Sequence, residues 1–220
     1  MTNILSFIPR VVKAKGAVPS IICEDVFQRY LLDDEMENIL LLKQIPTQHL
    51  PFEKPMLLYP GCGTDLLFPL LYIERLFPES REAVCIFIDR DNYLPMIKTI
   101  LDDLNISFAE RKNELQFYWK KCFINLHFVR EDIFNMLDRL PEFNIYFERA
   151  FRIMKEKQPN YEQRIYDSLM TKGVIISDSG FRQFPLQRVN VPPQLSSYGE
   201  MIMGIKSHNF NYNFSLDQRT

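Results

Sequence analysis

From Met56 onward the chain alternates between short unbroken apolar runs and segments whose apolar residues recur at helical spacing, an order few folds accommodate. Met56 to Tyr59 reads as a buried strand, and Leu66 to Phe77 as a helix with Pro69 tolerable near its first turn. "AVCIFI", Ala83 to Ile88, is a second strand. Leu94, Ile97, Ile100, Leu101 and Leu104 then mark a helix that Pro95 is placed to start. Leu115 to Trp119 and Cys122 to Val129 alternate in strand fashion around Lys120 and Lys121, the pattern of an inserted hairpin. Ile133 to Leu140 reads as a short helix, Phe143 to Phe147 as a strand and Tyr161 to Met170 as a helix with Gly173 past its end. "GVIISD" follows as a strand, and "GEMIMGIKS", Gly199 to Ser207, offers the last one. This alternation predicts parallel strands joined by right-handed helical crossovers on both faces of a sheet.

Residues ahead of Met56 read differently. A helix near Ser20 carries Ile22, Val26, Phe27 and Tyr30, and Asp33 or Asp34 can cap a second with Met36, Ile39, Leu40 and Leu42. Pro46, Pro51 and Pro55 then keep the chain irregular. The expected organisation is a helical extension over 1–54 packed on an α/β domain over 55–220, with the hairpin inserted at about 106–123. Hydrophobic residues at 46% and charged ones at 25% are globular values. A net charge of −2 gives no global attraction to a polyanion; Arg111 to Lys121 is the one candidate basic patch, and a solvated edge or a protein contact explains it as well. Cys23, Cys62, Cys85 and Cys122 form no CxxC pair and histidines number three, which argues against a zinc site and for free thiols. With no apolar run of spanning length and no signal-peptide pattern, the reading is a soluble, cytoplasmic protein with no membrane contact.

An open parallel sheet binds ligands outside the carboxyl ends of its strands, so the residues at those ends carry the functional argument. The first end is "YPGCGTD": Gly61 and Gly63 permit a turn and a close backbone approach, while the next helix points its amides into the same space. A plain tight turn would use the same glycines. Asp89 closes the second strand, where a carboxylate accepts from both hydroxyls of a ribose or simply faces solvent. Asp132, before Ile133, can cap a helix and accept from an adenine amine. "NIYFERAF" ends in Glu148 and Arg149, charges that must face solvent, pair or line a cleft. Asp178 and Ser179 share that ambiguity.

In this arrangement the chain resembles the class I S-adenosylmethionine-dependent methyltransferases over roughly residues 55–207. Tyr59-Pro60-Gly61-Cys62-Gly63-Thr64-Asp65 is similar to the family's acidic-x-G-x-G-x-G motif, with Tyr59 where the acid stands and Asp65 where the third glycine stands. A nicotinamide motif would instead need glycine at Leu66. The resemblance implies a Rossmann-like three-layer sandwich: a mostly parallel seven-stranded sheet with an antiparallel last strand. It implies S-adenosylmethionine as cofactor, S-adenosylhomocysteine as product and no metal. Tyr59, Gly61, Cys62, Gly63, Asp65, Asp89, Asp132 and Ile133 would hold the cofactor, with Asp65 supplying the charge that Tyr59 lacks. Glu148 would act as base or substrate-orienting carboxylate, and Arg149 would bind an anionic substrate. The implied acceptor is a small molecule or a protein side chain. Nucleic acid is disfavoured, because no Asn/Asp-Pro-Pro-aromatic run follows the fourth strand. The alternative is a methyltransferase-like binding or scaffold protein without catalysis, which Tyr59 and Asp65 favour.

Overall fold

The computed structural model describes residues 8–31, 33–46, 50–196 and 202–207. Helices α1 (Glu24–Arg29) and α2 (Asp33–Leu42) come first; the side chains of Asp33 and Asp34, the expected caps, lie outside the described residues. Then follow β1 (Met56–Pro60), α3 (Leu67–Leu76), β2 (Glu82–Asp89), α4 (Leu94–Asp103), β3 (Phe108–Arg111), β4 (Glu114–Trp119) and β5 (Cys122–Arg130). Next are β6 (Phe143–Glu148), the single turn α5 (Arg152–Lys155), α6 (Tyr161–Ser168), β7 (Leu169–Ser177), β8 (Leu186–Val189) and β9 (Ile202–Lys206).

All the strands share one sheet, in the order β3-β4-β5-β2-β1-β6-β7-β9-β8. The central strands β5, β2, β1, β6 and β7 run parallel, so their carboxyl ends share one edge. At one flank β9 and β8 are antiparallel; at the other, β4 and β3 form an antiparallel extension of β5. Among the described residues the sheet therefore has nine strands rather than seven. Of β3, "FAER", only Phe108 is buried, so no alternation announces it as a strand. Ile133 to Leu140 also departs from expectation. It forms two single 3-10 turns, because the Asp132 carboxylate accepts from the Phe134 amide and closes the first turn tightly. α6 ends at Ser168 and β7 begins at Leu169, so Leu169 and Met170 are strand rather than helix, and Gly173, past the helix as expected, lies inside β7. Of the expected last strand, residues 199–201 lie outside the described residues.

Alternation along the strands divides the core between two faces. Leu57, Tyr59, Cys85, Phe87, Ile145 and Phe147 pack with α3 and α4 on one face. Leu58, Ile88, Tyr146 and Ile175 pack with Tyr161 and Ile165 of α6 on the other. Strands covered on both faces read as unbroken apolar runs, which is why β1, β2 and β6 are so plain in the sequence. Burying a ring such as Phe87 or Phe147 stabilises the sheet by roughly 1.5–3 kcal/mol. The glycine turn, Asp89 and the end of β6 at Glu148 all lie along the carboxyl edge of this centre.

Candidate functional site

The turn after β1 folds back over the end of β2, where the Gly61 amide donates to the Ile88 carbonyl at 2.8 Å. Gly61 (φ +62°) and Gly63 (φ +51°) take left-handed conformations that side chains disfavour. Asp89 turns toward them. One carboxylate oxygen accepts from the Gly63 amide at 2.9 Å and the other from the Asp91 amide at 3.1 Å. The two glycines then differ. A Cβ on Gly63 would meet nothing within 4 Å, whereas one on Gly61 would stand 2.6 Å from the Phe151 ring. The space a side chain would take is thus free at Gly63, beside Asp89, and taken by the Phe151 ring at Gly61, whose backbone is otherwise exposed.

Asp65 sits at the start of α3, with Tyr59 and Phe68 of the α3-covered core face. It accepts from the Phe68 amide at 3.2 Å, capping α3, from the Tyr59 hydroxyl at 2.9 Å and from Arg149 at 3.2 Å. Arg149 also reaches Glu35 of α2 at 3.4 Å and lies flat on Phe68, 3.6 Å from the ring centroid. Burial opposes its charge, but the Asp65 and Glu35 carboxylates outweigh burial and hold the guanidinium cationic. Tyr59 is packed edge-on against Phe87 and Phe147; burial, then the Asp65 charge, push its hydroxyl well above the usual range. Cys62 is buried, and burial followed by Asp89 and Asp65 push its thiol up, so it is no thiolate nucleophile.

Asp132 is half-buried as a turn cap, with Ile133 buried behind it. Glu148 is not at the opening. It is wholly buried, ion-paired with Lys155, and accepts from the Tyr146 and Ser177 hydroxyls, each at 2.5 Å. Lys155 is further tied to the Ser179 carbonyl at 2.5 Å, and Tyr146 to the Tyr161 hydroxyl at 3.0 Å. Burial pushes the Glu148 carboxyl up, against Lys155 and its hydrogen-bond donors. Two neighbouring residues, Glu148 and Arg149, thus face different environments. The structure brings Tyr59, Gly61, Gly63, Asp65, Asp89 and Arg149 around one turn and places Glu148 beneath it.

Sequence reasoning missed Glu35, Lys155 and the seat of Phe151. Glu35 lies 114 residues from Arg149, and Lys155 follows Glu148 by seven with no motif linking them. Phe151 carried a weak signal, as an aromatic just beyond the charged strand end. Among the described residues no group of His, Cys, Asp and Glu could hold a metal ion, and no described helix is long and apolar enough to cross a membrane.

No family model and no curated protein matches the sequence. Similar solved structures include precorrin 8W decarboxylase of Methanobacterium thermoautotrophicum, 19% identical over 64% of this chain and 61% of that one (TM-score 0.38). Precorrin-6y C5,15-methyltransferase of Geobacter metallireducens is 17% identical over 66% and 63% (TM-score 0.39). TrmN of Thermus thermophilus is 13% identical over 76% and 46% (TM-score 0.41). The chain spans less than two thirds of the length of each of these three. Likeness at this level carries no argument about activity, which rests on the site itself.

Proposed function

We propose that the chain is an S-adenosylmethionine-dependent methyltransferase acting on a small molecule or a protein side chain. The carrying observation is the pairing of Asp89 with the open side of Gly63. A carboxylate with unused acceptor capacity stands beside Gly63, where an added Cβ would meet nothing within 4 Å. That combination suits a ribose whose hydroxyls donate to Asp89, with Asp132 and the Ile133 backbone flanking an adenine. The nucleoside half of the cofactor therefore fits the residues present. Its amino-acid half fits only after a rearrangement: Asp65 would exchange Arg149 for the cofactor's ammonium, and the Phe151 ring would leave Gly61.

Bound there, the cofactor supplies a methyl group on a sulfonium. The chain's own residues hold the nucleoside, balance the ammonium with Asp65 and exclude water with Phe151 and Tyr59. Arg149, once released, would meet an anionic group of the acceptor. Glu148 in its present setting anchors Lys155 and the end of β6, and serves the reaction by fixing that edge.

The seat of Phe151 on Gly61 and the burial of Glu148 favour a second reading, a methyltransferase-like binding protein without catalysis. Incubation with methyl-labelled S-adenosylmethionine and panels of small amines, phenols, carboxylates and protein lysates separates the two. Label transfer that is lost in Asp89→Ala supports the enzyme. Retention of S-adenosylhomocysteine with no transfer to any acceptor supports the binding protein. Failure to retain either compound contradicts both.

A further inference from the structure

The sheet has a second opening, at the end opposite the glycine turn. A cavity of about 370 Å³ lies where α1 and α2 cover the last turn of α3 and the β4–β5 turn. Its apolar walls include Phe27, Ile39, Leu42, Leu71 and Trp119, drawn from four separate elements, and Ile22, two residues ahead of α1. That volume falls in the roughly 300–1,000 Å³ range of small-molecule sites and far exceeds a packing void.

The polar residues at this cavity do not balance. Three basic residues (Lys43, Arg75, Lys120) meet two acidic ones (Glu24, Glu74), leaving one positive charge. Glu74 is already engaged: one oxygen accepts from the Trp119 indole at 3.1 Å and the other from Lys120 at 2.6 Å. Arg75 is turned to the Ile45 carbonyl, at 2.7 Å from its Nε. Among the described residues Lys43 pairs with no carboxylate, and Lys120 keeps donors beyond the one given to Glu74. An apolar slot with one surplus cation at its rim is complementary to a molecule with an apolar body and a single negative head.

We propose that this cavity is a binding site for a small amphipathic carboxylate, its apolar body against Phe27, Ile39, Leu71 and Trp119 and its head at Lys43 and Lys120. The site is independent of the glycine turn and of the function proposed for it. Filling it would also tie α1 and α2 to α3 and the β4–β5 turn, since every wall element contacts the same ligand.

Trp119 is the chain's only tryptophan, so its emission reports on this cavity alone. Titrating the full-length protein with decanoate, below its micellar concentration, is expected to give a saturable change in Trp119 fluorescence. Decanol should bind about tenfold more weakly, the loss of one charge-assisted contact. Lys43→Glu, an exposed substitution whose folding circular dichroism would verify, should weaken decanoate about tenfold and leave decanol unchanged. Absence of a saturable signal overturns the proposal. So does equal affinity for decanoate and decanol, or a Lys43→Glu protein that binds decanoate as well as the wild type.

Discussion

Arg149 and Asp65, 84 residues apart in the chain, meet at 3.2 Å beside the glycine turn, and the same guanidinium reaches Glu35 of α2. The pair joins the end of β6 to the start of α3. It also occupies the carboxylate that the proposed cofactor needs for its ammonium, so the two cations compete for one partner.

Removing the competitor should therefore help binding. Arg149→Ala is expected to tighten S-adenosylhomocysteine by roughly tenfold, equivalent to ~1.4 kcal/mol. Asp65→Ala should abolish measurable binding and also cost about 2–3 kcal/mol of stability, through a lost helix cap and an unpartnered Tyr59 hydroxyl. Calorimetric titration and urea unfolding of both variants check this. Weaker binding in Arg149→Ala would show that the arginine itself contacts the ligand.

The two glycines should fail differently. Gly61→Ala drives a methyl into the Phe151 ring as well as straining φ, so its main effect is on stability, by more than about 1 kcal/mol. Gly63→Ala meets only the strain, about 1 kcal/mol, but its methyl fills the open side of the turn and should remove nucleoside binding. Thermal unfolding paired with titration separates them. Phe151→Ala, at a cost of about 3–5 kcal/mol, should let Gly61→Ala fold with little further loss, a non-additivity that a double-mutant cycle measures.

Lys155→Met tests the buried network. It leaves Glu148 without its cation in a site with no solvent access, and is expected to destabilise the protein by about 3–5 kcal/mol near pH 7. Burial already raises the Glu148 carboxyl above its unfolded value, and losing Lys155 raises it further. A raised folded pKa means the native state binds the proton more tightly than the unfolded chain. Its stabilising contribution is full below the unfolded carboxylate range and is lost as pH rises through the folded value. The gap between variant and wild type should thus narrow on acidification toward pH 4.5 and widen toward neutrality. A gap that is constant with pH would mean Glu148 is not the group left exposed to the change.

How much of this was legible beforehand follows from which contacts are local. Leu57, Leu58 and Phe87 lie in strands buried on both faces, so their runs announce the sheet, and the end of one such run gives the position of Asp89 at the close of β2. Phe108 to Arg111 joined the sheet without a pattern, since one buried residue sets no period. Glu148 and Arg149 were located to the correct strand end, yet adjacency in sequence concealed that one faces Lys155 below and the other Asp65 above. Phe151 against Gly61, Glu35 against Arg149 and the cavity behind Trp119 are tertiary encounters. Nothing at the separations involved imposes a periodicity to read.

The central claim, that Asp89 and the open side of Gly63 seat a nucleoside, is tested most directly by isothermal titration of S-adenosylhomocysteine into wild-type and Asp89→Ala proteins. The account predicts a saturable heat for the wild type and at least a tenfold loss of affinity for the variant, as expected when hydrogen bonds to a charged acceptor are removed. Circular dichroism should show both folded. No heat with the wild-type protein, or equal affinity in a folded Asp89→Ala, would contradict it.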